Sequence, residues 1–95
     1  MAMMLTYDKA KWQKTLVERG LDFRDAGIVF NGPHFTGFDD RFAYGEERWI
    51  TIGQLYERVV VLVWTERADT RRIISMRRAE SDEEREFYER LGGSR

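Results

Sequence analysis

The sequence predicts an α+β domain with two N-terminal helices, a four-stranded and mainly antiparallel sheet, and a C-terminal helix. Three observations carry that reading. Apolar residues recur at helical spacing early in the chain, alternate or run continuously between residues 34 and 78, and return to helical spacing after Ser81. Short connections at residues 53–57 and 68–70 favour antiparallel neighbours. A length of 95 residues suits one hydrophobic core, so residues 1–95 are expected to form a single domain.

The elements follow in order. Asp8 is placed to cap a helix over residues 9–19, with Trp12 and Leu16 on one face and Gly20 as the stop. Asp22 caps a second helix in which Phe23, Ala26 and Phe30 share a face, and Asn31-Gly32-Pro33 ends it because proline cannot continue the ladder. His34–Phe38 reads as a first strand, followed by a polar, aromatic loop over 39–45. Residues 47–55 alternate, with Arg48, Ile50 and Ile52 on one face. Arg58–Arg67 is nearly continuous in valine, leucine and tryptophan, as a strand covered on both faces would be. Residues 71–78 form the fourth strand, whose alternation groups Arg71 with Arg77 and Arg72 with Arg78. The last helix spans 82–91: Ser81 and Glu84 make a capping-box pattern, the first turn is acidic, and Gly92-Gly93 closes it.

Composition excludes several classes. Without cysteine there is no disulfide framework and no cysteine-based zinc site, and the cytoplasm is the expected compartment. The start MAMMLTYD has neither a charged leader nor a long apolar run, and the longest apolar stretch, 59–64, is too short to cross a bilayer; no membrane partner is expected.

The net charge of -1 conceals a segregation. Residues 48–79 hold seven arginines against three acids, and all three lysines lie in the first helical segment. Arginine pairs bidentately with phosphate or carboxylate in a way that a lysine point charge does not. Because the arginines of the fourth strand flank its apolar residues, positive charge collects at strand ends. The turn after Arg67 brings it to Arg71 or Arg72, and antiparallel pairing brings Arg48 to the same end, so Arg48, Glu66, Arg67 and Arg72 are expected as neighbours. The competing reading is a set of surface ion pairs with Glu46, Glu47, Glu57 or Asp69, each contributing at most about 1 kcal/mol.

The segment from Asp8 to Gly20 with Leu21-Asp22-Phe23, the run Glu46-Glu47-Arg48-Trp49-Ile50-Thr51-Ile52-Gly53, Thr65-Glu66-Arg67, Arg72-Ile73-Ile74-Ser75-Met76-Arg77-Arg78-Ala79 and residues 84–88 together resemble the BrnT family of type II toxin-antitoxin ribonuclease toxins. The resemblance covers almost the whole chain. It implies a RelE-like ribonuclease fold, an RNA substrate, arrest of translation, and a BrnA-like ribbon-helix-helix antitoxin through which the pair meets DNA. One departure stands out: many members carry N-x-x-K-H-G where this chain has Thr15 and Arg19 before Gly20.

Cleaving RNA needs a base for the 2'-hydroxyl proton, cations for the charge developing on phosphorus, and an acid for the leaving oxygen. His34 is the only histidine, so a two-histidine mechanism is out of reach. The catalytic candidates are Arg48, Glu66, Arg67, Arg72, Arg77 and Tyr88, with Glu66 and Tyr88 for proton transfer. Arg71, Arg85 and Trp49 are candidates for RNA contact, Trp49 by stacking. Trp64 is read as core and His34 as structural. No cofactor is expected, and a metal-independent endoribonuclease is the resulting expectation. The alternative is a catalytically inactive module that only binds a partner protein.

Overall fold

A computed structural model describes residues 4–92 other than 42 and 44. Five strands form one mixed sheet in the order β1-β5-β4-β3-β2. They are β1 (Met4–Tyr7), β2 (His34–Phe38), β3 (Trp49–Leu55), β4 (Arg58–Arg67) and β5 (Thr70–Arg78). The helices are α1 (Lys9–Arg19), α2 (Ala26–Asn31) and α3 (Ser81–Arg90), with a 3-10 turn at Phe23–Asp25 leading into α2.

The expected four-strand, mainly antiparallel sheet is therefore corrected. A fifth strand, β1, runs parallel to β5, pairing Met4 with Thr70 and Tyr7 with Ile73. Four residues are too few for periodicity to declare a strand. This one exists because β5, distant in sequence, offers it an edge. The other pairings are antiparallel, with β4 third of five and buried along most of its length, as its apolar run required.

The helix ends follow local chemistry. Asp8 accepts a hydrogen bond from the Lys11 N–H at 2.9 Å, and Gly20 closes α1 at φ 68°, where a side chain would be strained. The second helical segment breaks into the 3-10 turn and α2, with Asp22 capping the turn through the Arg24 N–H. Asp22 also accepts from Trp12 Nε1 at 2.8 Å and binds the Arg24 guanidinium, whose bond holds its carboxyl down at about 2. One carboxylate thus ties α1 to the segment after it.

The capping box of α3 lies one residue earlier than expected, with the Glu83 carboxylate accepting from the Glu80 N–H at 2.8 Å. Gly92 has φ 108°, and Gly93 lies outside the described residues.

The sheet has two covered faces of unequal kind. Leu21, Phe23, Ala26 and Val29 pack with Leu55, Val60, Leu62, Trp64, Ile73 and Met76 to form the core. Gly53 lets α2 approach there: a Cβ at that position would meet Val29 Cγ1 at 2.6 Å. Trp64 donates through Nε1 to Thr51 Oγ1 at 2.8 Å, which confirms it as core. The opposite face carries Ile50, Ile52, Val61 and Val63, covered only partly by α3 through Phe87, whose ring meets Phe35 edge-on at 5.6 Å.

Candidate functional site

The placement of the arginines begins with a bulge. Val63 pairs with Ser75 but Trp64 pairs with Ile73, so Ile74 is an extra residue in β5. Beyond it the alternation changes phase. Ile73 and Met76 both point into the core, and Arg72 and Arg77 come to lie on the same, opposite face. The expected grouping of Arg71 with Arg77 is overturned by this single residue.

At one end of that face Arg48, Arg67 and Arg72 line a small cavity of about 120 Å³ with Glu46, Asp8 and Lys11. Each comes from a different place: Arg48 from the approach to β3, Arg67 from the end of β4, and Arg72 from the start of β5. Glu46 bridges two of them, accepting from Arg48 Nε at 3.3 Å and from Arg67 Nη2 at 3.1 Å. The Arg67 bond, and after it the Arg48 bond, holds the Glu46 carboxyl below its usual range. Thr65, buried beside them, donates to the Glu47 carbonyl at 2.6 Å and fixes the approach to β3.

The remaining sequence candidates lie elsewhere. Glu66 is exposed on a neighbouring cavity shared with Glu46, Glu47 and Trp49, not among the three arginines. Trp49 is half-buried between Phe38 and Trp64, with ring centroids 5.3 and 6.3 Å away. Arg71 lies on the helix-covered side, its guanidinium 3.9 Å from the Phe30 ring centre and 5.1 Å from Trp64, with its buried Nε making no hydrogen bond.

Arg77 lines a larger cavity of about 450 Å³ between the sheet and α3, where it holds Glu83 in a two-pronged pair at 2.9 Å per prong. That pair holds the Glu83 carboxyl down at about 2 and raises the Arg77 guanidinium. Tyr88 is half-buried with its ring edge-on to Phe87, and Arg85 is exposed on α3; neither lines the arginine cavity. His34 donates through Nδ1 to the Gly32 carbonyl at 2.8 Å and packs edge-on to Phe30. Arg19, at the site of the family departure, donates to the Met76 carbonyl at 2.8 Å and docks the end of α1 against β5.

Sequence reasoning named Glu46 only as a possible ion-pair partner, although its position two residues before Arg48 was a usable signal. Asp8 and Lys11 were missed because their place beside Arg72 depends on β1. Among the described residues no group of three or more His, Cys, Asp or Glu is arranged to hold a metal, and no helix is long and apolar enough to cross a membrane.

A mixed-sheet α+β fold with arginines gathered at one sheet end is a scaffold suited to an anionic ligand. The chain belongs to a family of that kind: the model for BrnT, the ribonuclease toxin of a type II toxin-antitoxin system, matches residues 7–83. Membership implies an RNA target and an antitoxin partner. A comparison with curated proteins gives no match.

Proposed function

We propose that the chain cuts RNA without a metal ion, using Arg48, Arg67 and Arg72 to bind the scissile phosphate and Glu46 to organise them. The supporting observation is the convergence of three arginines from three strand ends around one carboxylate. Glu46 spaces the guanidiniums before RNA arrives. A phosphate then takes its place between them and leaves the carboxylate as acceptor for the 2'-hydroxyl proton. The 2'-oxygen forms a bond to phosphorus as the bond to the 5'-oxygen breaks, giving a 2',3'-cyclic phosphate and a free 5'-hydroxyl end. Lys11, lining the same cavity, supplies the proton to the leaving oxygen. The charge building on the phosphoryl oxygens is met by the arginines, and removing one such donor typically lowers the rate by about 10²–10³-fold.

The neutralising partner in this reading is a BrnA-like ribbon-helix-helix antitoxin, and DNA is met only through that complex. The consequence of cleavage is arrest of translation in the cytoplasm. Wild-type protein produced without antitoxin should stop growth, and purified protein should cut RNA in the presence of a chelator. Arg72→Ala should lose most of that activity. Intact RNA with wild type, in the absence of antitoxin, refutes the reading; cleavage that requires added magnesium refutes metal independence.

One observation favours a second reading. Glu46 already engages Arg48 and Arg67, and Glu83 engages Arg77, so these cations are compensated internally. An inactive module would use them only to dock a partner. Arg67→Ala would then lose partner affinity while wild type left RNA uncut.

A further inference from the structure

We propose that the cavity between the sheet and α3 is a base-binding subsite that takes one unstacked nucleobase of single-stranded RNA, guanine before the others. The proposal rests on the ribonuclease reading and deepens it.

The cavity, about 450 Å³, is within the size range of small-molecule sites, about 300–1,000 Å³. Its floor is flat and apolar because Ile50 and Ile52 of β3 stand opposite Val63 and Val61 of β4. Phe35 and Phe87 form an aromatic wall, and the Arg90 guanidinium lies 4.3 Å from the Phe35 ring centre. A planar, apolar-faced ligand matches such a slot, and unstacked bases on aromatic and guanidinium surfaces are the usual mode of single-strand recognition.

Polar groups select among bases. Glu83 is occupied by Arg77, whereas Glu86 lines the cavity without an ion pair among the described residues. A carboxylate accepts but does not donate, so it favours a base edge with adjacent N–H donors. The N1–H and exocyclic amino group of guanine offer two that one carboxylate can accept together.

Charge and continuity point to RNA in place of a neutral ligand. Arg41, Arg77 and Arg90 stand around the cavity; Arg41 is held by Asp39 and Arg77 by Glu83, while Arg90, which makes no ion pair among the described residues, is the rim cation placed to meet a phosphate. The bulge places Arg72, Ser75 and Arg77 on one face of β5, so this face joins the arginine cluster to the cavity. At about 3.3 Å per residue, Ser75 lies ~10 Å along the strand from Arg72. A phosphate at the cluster and the base of a neighbouring nucleotide can bridge that separation.

The test measures binding of three non-cleavable 2'-O-methyl strands: uridines with one central guanine, the same strand abasic at that position, and uridines alone. Wild type should bind the guanine strand about tenfold more tightly than the abasic one. Val63→Phe, which fills the floor, should erase that difference. Arg90→Glu, on the exposed rim, should weaken all three strands. Glu86→Gln should lose the preference for guanine over uridine while leaving abasic affinity unchanged. The proposal is overturned if wild type binds the guanine and abasic strands equally, or if Val63→Phe keeps their difference. It is likewise overturned if Val63→Phe loses only neutralisation by antitoxin, which would make the cavity a protein-docking site. Failure of wild type to bind any strand overturns the ribonuclease reading itself, and the subsite with it.

Discussion

Replacing Glu83 with alanine removes two contacts at once. The two-pronged bond to Arg77 goes, and so does the acceptor for the Glu80 N–H at the start of α3. Loss of a helix-capping acceptor costs roughly 0.5–2 kcal/mol. The ion pair contributes less than its bond lengths suggest, because Arg77 and Glu83 remain 42% and 32% exposed and water screens them; roughly 0.2–1 kcal/mol is appropriate. The variant should therefore lose about 1–2 kcal/mol at pH 7. For a domain of this size each kcal/mol moves the melting temperature by about 4–8 °C.

The pH dependence identifies the cause. Arg77 holds the Glu83 carboxyl at about 2, below its ordinary 4.5. A carboxyl with a lowered folded-state pKa stabilises the fold fully above its unfolded value and loses that contribution as pH falls through the folded one. The difference between wild type and Glu83→Ala should be constant above about pH 5 and shrink as pH falls from about 4.5 toward 2. Urea denaturation of both proteins at intervals between pH 2.5 and 7, or about that window, measures it. Equal stability at pH 7, or a gap that ignores pH, refutes the assignment of this pair as the anchor of α3.

Four further outcomes are expected. Gly53→Ala forces its Cβ to 2.6 Å from Val29 Cγ1 and 2.9 Å from His34 Cβ, and should lower stability by about 1–3 kcal/mol in denaturant titrations; an unchanged midpoint contradicts the close approach of α2. Thr51→Val strips the buried Trp64 Nε1–H of its acceptor and should cost about 1–3 kcal/mol, with a shift in tryptophan fluorescence as a second readout. In Arg67→Ala the Glu46 carboxyl should titrate higher, and by more than in Arg48→Ala, since the Arg67 bond lowers it most; carboxyl-carbon NMR across pH 2–7, or about that range, reads both. Arg19→Ala should lose about 0.5–1.5 kcal/mol with the bond to the Met76 carbonyl, and unaltered thermal stability would show that α1 is docked by other contacts.

The parts of the fold legible in the sequence are those whose causes are local. Asp8 and Gly20 bound α1, and the apolar run of β4 marks an interior strand. β1 was not legible because its pairing partner lies more than sixty residues away, Met4 against Thr70. At the candidate site, the meeting of Arg48, Arg67 and Arg72 could be foreseen from strand directions and a short turn. The grouping of Arg77 could not, because a bulge leaves no periodic mark. Glu46 went unassigned to the site since a carboxylate next to an arginine reads first as an ordinary ion pair.

The surplus residue at Ile74 also governs how β5 tolerates changes in length. Losing Ile74 would leave a regular strand with Arg71, Ile73, Met76 and Arg78 still on one side and Arg72, Ser75 and Arg77 on the other. Losing a residue away from the bulge, with the bulge retained, would instead exchange the sides of everything beyond the gap, driving a guanidinium toward the core or an isoleucine out of it. Position 74 is thus where a chain of this lineage can shorten by one while keeping both its interior and its arginine face.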